Sequence, residues 1–550
     1  MEIITKTENN EYKFFLKNNS SETIYPDEVV VMQGRMPFQK DTRVYCDGFN
    51  MLSQYMGTVE NMECMSMYSD EKHYKLPTKD GYFTGYNYAL FFSKQTTLWG
   101  FTSCRRFSGE IRFNSDNYEI VEKLYSIPIR SGEIIELESF SILKGEKNEL
   151  LNCYASIIQK NHPPRKNTVT PSGWCSWYCF GPDVTEEEIR QNMAVMKNKF
   201  SFMKYVLIDD GYQNKMGDWL TVKKDFGCMS AVCDNIRSAG ALPAIWIAPF
   251  IAERDSNIMK NHPEYFVCDE SGNPLSSDEV SFGGWRCAPW YMLDGTNPAA
   301  VEYIKNIFIE MKNRYGCNYF KLDANMWGAL PFGKRYDNTK TPIEAYRIVM
   351  EAICDAVGDD GFILGCNAPM WASLGLVNGM RTSEDVLRKV DVFALLAKQN
   401  LFRSWQNNKL WLCDPDCFTI SNNKKDIIDG AGNAAENNYL NEAEFSYCMA
   451  YIFASGSKIL FSGDDMTTYT DKQIGLINRL KDLDNDNIYF ENDQFEICHN
   501  KKYYVFLNST ENEKSFNINC AEMSDFFDDS VVCNPINVSA HSGKIIELIR

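Results

Sequence analysis

The sequence predicts a multidomain α/β protein: a central (β/α)8 TIM barrel preceded by an N-terminal antiparallel β-sandwich and followed by a small C-terminal β-domain. Three observations carry this. Between about residues 170 and 484, eight short apolar runs alternate with helical patterns, and strand–helix alternation over that length favours a parallel sheet closed into a barrel. Before about residue 146, and again after about residue 485, the runs are β-rich and separated by turn residues, the pattern of antiparallel layers. At 550 residues the chain is also longer than one hydrophobic core usually organises. The expected domains are residues 1–165, 166–484 and 485–550.

In the first region the strand-like runs are EYKFFLKN, DEVVVM, GYNYALFFS, TTLWGFTS, GEIRFN and GEIIELESFSIL, with turns at Thr78-Lys79-Asp80-Gly81 and Ser131-Gly132. A short amphipathic helix over Glu149 to Gln159 and an extended linker, His162-Pro163-Pro164-Arg165-Lys166-Asn167, lead into the middle region. There the apolar runs are SGWCSWYCF, YVLIDDGY, ALPAIWIAPF, NYFKLDAN, GFILGCNAP, VNGMRTSEDV, KLWLCDPDCF and SKILFSGDD. Helix starts are marked by a capping box, Thr185 with Glu188, and by Asn297-Pro298 and Thr341-Pro342, each a cap residue before a first-turn proline. An open doubly wound sheet is the weaker alternative, because no glycine-rich phosphate loop follows the first strand. The closing β-domain is read from NIYFEN, QFEICHN, KYYVFLN, SFNINC and KIIELIR.

Composition narrows the partners. The chain carries 56 Lys+Arg against 74 Asp+Glu, a formal net charge of −18. Such a surface repels phosphate backbones and anionic headgroups, which excludes nucleic acid and membrane as expected partners. The N-terminal MEIITKTENN has no apolar run of the secretory kind, and no stretch reaches the ~18 apolar residues of a spanning helix. The 19 cysteines are an odd number in apolar or mixed contexts, read as reduced, buried thiols in a cytoplasmic protein. Cys175/Cys179 and Cys413/Cys417 do not have zinc spacing, and the five histidines lie far apart. No metal and no cofactor are expected.

Polar residues directly follow the apolar runs: Asp209-Asp210, Lys321 with Asp323, Cys366-Asn367, Arg381 to Asp385, Asp414-Pro415-Asp416 and Asp464-Asp465. A barrel assembles its active site from these carboxyl-terminal strand ends. Asp464-Asp465 and one of Asp414 and Asp416 are read as helix caps. The remainder holds carboxylates, a lysine, an arginine, aromatics and thiols, without a serine elbow or a phosphate loop. Paired carboxylates between aromatic walls are the apparatus of glycoside hydrolysis. Asp323 lies two residues from Lys321, so on one strand both side chains point into the barrel mouth.

SGWCSWYCF, VLIDDGYQ, NYFKLDAN, GCNAP, MRTSEDV and DPDC, in this order, resemble the clan D glycoside hydrolases. Within the clan they are most similar to family 36 α-galactosidases and their raffinose-synthase-like relatives. The resemblance covers about residues 170–465. It implies that Asp323 is the nucleophile and Asp385 the general acid and then base, Glu384 being the rival for that role. It further implies that Asp209 and Asp210 accept hydrogen bonds from the 4- and 6-hydroxyls, and that Lys321 and Arg381 hold the opposite edge and lower the pKa of the nucleophile. Trp177 and Trp246 would be apolar walls, with core packing as the alternative, and Cys366 would sit near the ring. Around Asn367, Ala368, Pro369 and Met370 the chain departs from relatives that use a Glu or a glycine-rich run near the 2-position, which leaves hydroxyl and N-acetyl both open. The stretch from Ile251 to Asp294, with Trp285 and Trp290, is expected to form an insertion over the site.

The implied activity is a retaining exo-glycosidase that removes terminal α-linked galactose from oligosaccharides by double displacement, with no cofactor. The alternatives are an α-N-acetylgalactosaminidase, a galactosyl transferase of raffinose-synthase type, and a sugar-binding protein with a dead site. Binding alone needs no acid/base pair, which argues against the last. A homo-oligomer stays open.

Overall fold

The apolar runs of the middle region become eight parallel strands in a computed structural model, which describes residues 1–549 except 167–168, 422–426, 429–433, 436–439, 483, 487, 492–495 and 521. The strands are β1 (Ser172–Cys175), β2 (Tyr205–Ile208), β3 (Leu242–Ile247), β4 (Tyr319–Leu322), β5 (Phe362–Gly365), β6 (Gly379–Arg381), β7 (Leu412–Asp414) and β8 (Leu460–Ser462). They pair in sequence order from β1 to β7, and β8 pairs with β1. The ring closes through a parallel bridge between Phe418, just beyond β7, and Ser462 of β8. The runs are short and apolar because helices and side chains cover both faces of the sheet; every residue of β2, β4 and β5 is buried.

The helix signals hold. Thr185 and Glu188 form a reciprocal capping box on Glu186–Lys199, and Thr341 with Glu344 does the same for Pro342–Val357. Asn297 caps Pro298–Asn313 through the Ala299 backbone N–H. One unit departs from the strand–helix rhythm. Between β5 and β6 the chain makes only a short 3-10 turn, Trp371–Ser373.

The N-terminal region is antiparallel throughout, in a nine-stranded and a four-stranded sheet. Six of its strands, including Arg43–Asp47, Gln54–Thr58 and Asn117–Lys123, fall outside the runs read from sequence. The helix that follows begins earlier than expected, at Lys147, with Glu146 as cap, and ends at Asn161. The C-terminal region is a six-stranded antiparallel sheet with a two-stranded companion.

The sandwich is bolted to the barrel by buried polar contacts. Arg403, at the end of the helix Val390–Arg403, donates to Asp47 at 2.6 Å, and both side chains are fully buried. Asn50 Nδ2 and Tyr74 Oη donate to Asn367 Oδ1 at 2.8 and 2.9 Å, which ties the sandwich to the end of β5. All nineteen cysteines are free thiols. Not all are buried as expected: Cys64, Cys153, Cys228, Cys287 and Cys533 are exposed. No helix among the described residues is long and apolar enough to cross a membrane.

Candidate active site

A cavity of about 530 Å³ opens at the carboxyl-terminal ends of the barrel strands. Trp177, Asp209, Asp210, Trp246, Lys321, Asp323, Cys366 and Asp385 all line it. They come from β1 through β6 in order: Trp246 and Lys321 lie within their strands, and the others just beyond the strand ends. Three turns at strand ends hold a non-glycine residue in the left-handed region: Ala324 (φ 52°) after β4, Asn367 (φ 42°) after β5 and Asp416 (φ 77°) after β7. Backbone of that kind persists where surrounding contacts over-determine it, which is common at functional sites.

Asp323 is fixed at both oxygens. Trp246 Nε1 donates to Oδ2 at 3.1 Å, and the Ala324 backbone N–H donates to Oδ1 at 2.7 Å. Burial pushes its carboxyl up to about 6; Lys321 pulls the other way, and the charge of Asp385 pushes up again. The expected net lowering by neighbouring cations is therefore corrected: desolvation outweighs it. Lys321 Nζ spends its charge mainly on Asp209, 2.9 Å away.

Asp385 has a side chain 42 % exposed to the cavity, with Oδ1 2.9 Å from Arg381 Nη2. Burial pushes its carboxyl up, but the charges of Arg381 and Lys321 and hydrogen bonds from Arg381 and Tyr178 hold it below the usual aspartate range. Its rival Glu384 points the other way. It is 1 % exposed, accepts from the Tyr68 backbone N–H and Gln399 Nε2, and does not line the cavity. Arg381 was expected to touch the sugar, but it too is absent from the cavity wall. It lies fully buried beneath it, 2.9 Å from both Asp385 and Asp416.

The cap readings divide. Asp465 accepts from the Thr467 N–H at the start of a 3-10 turn, as a cap does. Asp464 instead grips Arg388 at 2.7 Å. Neither Asp414 nor Asp416 caps a helix: Asp414 Oδ1 accepts the Asp416 N–H, and Asp416 holds Tyr178 and Arg381.

Other wall residues went unseen in the sequence. Leu52, Met67, Tyr68 and His73 come from the sandwich, and Phe282 and Gly284 from the Ile251–Asp294 insertion, beside Trp285, which was expected over the site. Gly284 (φ 117°) has no room for a Cβ, which would lie 2.6 Å from the Trp290 ring. Arg286 of the same insertion donates to both oxygens of Asp210, at 2.9 and 2.5 Å. No spacing rule connects residues so far apart. Among the described residues, no cluster of three or more His, Cys, Asp or Glu side chains is placed to hold a metal ion.

Known proteins bear on this geometry. The melibiase family model matches residues 145–356. An A type blood α-D-galactosamine galactosaminidase from Flavonifractor plautii is 28% identical over 265 residues, 44% of this chain. The match spans only 23% of that protein's length. An α-galactosidase from Thermus thermophilus, solved with p-nitrophenyl α-D-galactopyranoside, superposes with a TM-score of 0.66 at 18% identity, over 90% of this chain and 97% of that one. The α-galactosidase from Lactobacillus brevis gives 0.68 at 12% identity, over 98% and 78%. The likeness to clan D glycoside hydrolases, and the three-part architecture read from the sequence, are borne out.

Proposed function

We propose that this chain is a retaining exo-α-galactosidase of the clan D glycoside hydrolases. The observation that carries the reading is one cavity lined by two carboxylates of unlike environment, Asp323 and Asp385, together with Trp177 and Trp246. Asp323 Oδ attacks C1 of the terminal sugar from the β face while the C1–O bond breaks. Asp385, in the minor protonated form that Arg381 and Lys321 leave it, gives its proton to the departing oxygen. Asp385, now ionised, takes a proton from water as that water attacks C1 and releases Asp323, so two inversions return the α configuration. Asp323 at about 6 is mostly ionised at neutral pH, as a nucleophile must be.

Asp209 and Asp210 supply acceptors for sugar hydroxyls, Asp210 with Arg286 beside it and Asp209 with Lys321. Cys366 is a small wall near the ring. Terminal α-galactose of oligosaccharides is the proposed substrate, and the cytoplasm, suggested by nineteen cysteines outside any disulfide, the proposed compartment. The match to a galactosaminidase supports a second reading, action on a 2-amino or 2-acetamido sugar. Rates on p-nitrophenyl α-galactoside and α-N-acetylgalactosaminide separate the two readings, and NMR of the first-formed anomer tests retention. No turnover of either, or a β first product, overturns the proposal.

A further inference from the structure

Arg381 is fully buried and has one nitrogen, Nη2, 2.9 Å from each of two carboxylates, Asp385 and Asp416. Asp416 has the more complete set of partners. Its Oδ2 also accepts from Tyr178 Oη at 2.5 Å and from the Val386 backbone N–H at 2.8 Å, and its Oδ1 accepts from the Cys417 N–H at 2.7 Å. It does not line the cavity and so does not meet a sugar.

Resting on the function proposed above, we propose that Asp416 is a positioning residue: it shares the charge of Arg381 with Asp385, and so lessens the pull of that cation on the proton that the leaving oxygen needs.

The argument is electrostatic. A general acid beside a guanidinium gives up its proton too readily, because the cation favours the ionised form. Asp385 faces Arg381 of β6, Lys321 of β4 and Asp323 just beyond it, Cys366 just beyond β5, Tyr178 beyond β1, Asp416 beyond β7 and its neighbour Glu384. Of these, Arg381 is the nearest charge, and Asp416 is the anion seated on that same nitrogen. With Asp416 ionised, the cation is half spent elsewhere. With Asp416 neutral, more of it falls on Asp385. The two carboxyls titrate as a pair for the same reason, and burial with the charge of Asp385 pushes Asp416 up against the pull of Arg381.

The test compares kcat/KM on methyl α-galactoside, whose leaving group needs a proton, with kcat/KM on 2,4-dinitrophenyl α-galactoside, whose leaving group does not. The ratio of the two follows the protonated fraction of Asp385 at each pH and is blind to Asp323. In Asp416→Asn the midpoint of this ratio should move about one pH unit lower, an approximately ten-fold fall above the wild-type midpoint. Asp416→Gly is the companion variant, since its φ of 77° suits glycine and the backbone should fold unstrained. Added formate should restore its ratio by replacing the missing anion. Equal losses on both substrates, with the midpoint unmoved or formate without effect, overturn the proposal. A wild-type protein inactive on both galactosides refutes the α-galactosidase reading instead.

Discussion

Trp246 donates its indole N–H to the carboxylate of Asp323 at 3.1 Å, so the residue expected as an apolar wall also orients the carboxylate proposed as nucleophile. Trp246→Phe keeps most of the aromatic face and removes the donor. Losing one hydrogen bond to a charged group costs roughly 1.5 kcal/mol, so kcat/KM on aryl α-galactosides should fall about ten-fold with KM little changed. Steady-state kinetics on one substrate suffice; an unaltered rate would mean that the Ala324 N–H alone holds the carboxylate.

The two carboxylates can be told apart by the products of azide rescue. Asp323→Ala should lose turnover on the order of 10⁴-fold, and azide entering from the vacated β face should yield β-galactosyl azide. Asp385→Ala should still form the intermediate from an activated aryl galactoside, and azide should then displace it to give the α-azide. Proton NMR of the azides reads the outcome. Exchanged products would exchange the roles.

Acidification should silence the nucleophile before anything unfolds. With Asp323 at about 6 in place of the ordinary aspartate value of 3.8, kcat/KM on 2,4-dinitrophenyl α-galactoside should fall as pH drops through about 6, because a protonated carboxyl cannot attack C1. A pH–rate profile flat down to about 4.5 would contradict the desolvation of this site.

Glu384 offers a control beside the reacting pair. Burial pushes its carboxyl up to about 7 from the ordinary 4.5. Its folded value is raised, so its stabilising contribution is complete below about 4.5 and is lost as pH rises through about 7. Glu384→Gln should keep activity within a few-fold and remove this slope. Its Tm should gain on that of the wild type between about pH 5 and pH 8. A collapse in turnover would move the acid role to Glu384.

What the sequence disclosed, it disclosed through short-range order. The run YVLIDD is a buried strand ending in carboxylates, and Lys321 and Asp323 share a face because a strand repeats every two residues. The places of the barrel strands followed from the same logic, though the strands are shorter than the runs that mark them. The missing helix between β5 and β6 was readable too, since the segment Cys366–Asn378 has little room for one, but the repeating pattern invited eight equal units. Relations across the chain stayed hidden. Arg286 reaches Asp210 from an insertion with no periodic pattern, and Asn50 and Tyr74 meet Asn367 across a domain boundary. Nothing local distinguishes Glu384 from Asp385 either; their opposite directions depend on Gln399 and the Tyr68 backbone waiting on one side only.

The Asp47–Arg403 pair sets a condition on how this molecule can be dismantled. A guanidinium sealed from water tolerates its surroundings only while its counter-ion is present. Expressed by itself, the barrel would open to water the seam in which Arg403 is now paired, and would leave the Asn367 amide without the two donors that orient it. A swap of the N-terminal portion for that of another hydrolase therefore succeeds only if the incoming piece brings a carboxylate to the place of Asp47. The smallest transplantable catalytic unit is sandwich and barrel together.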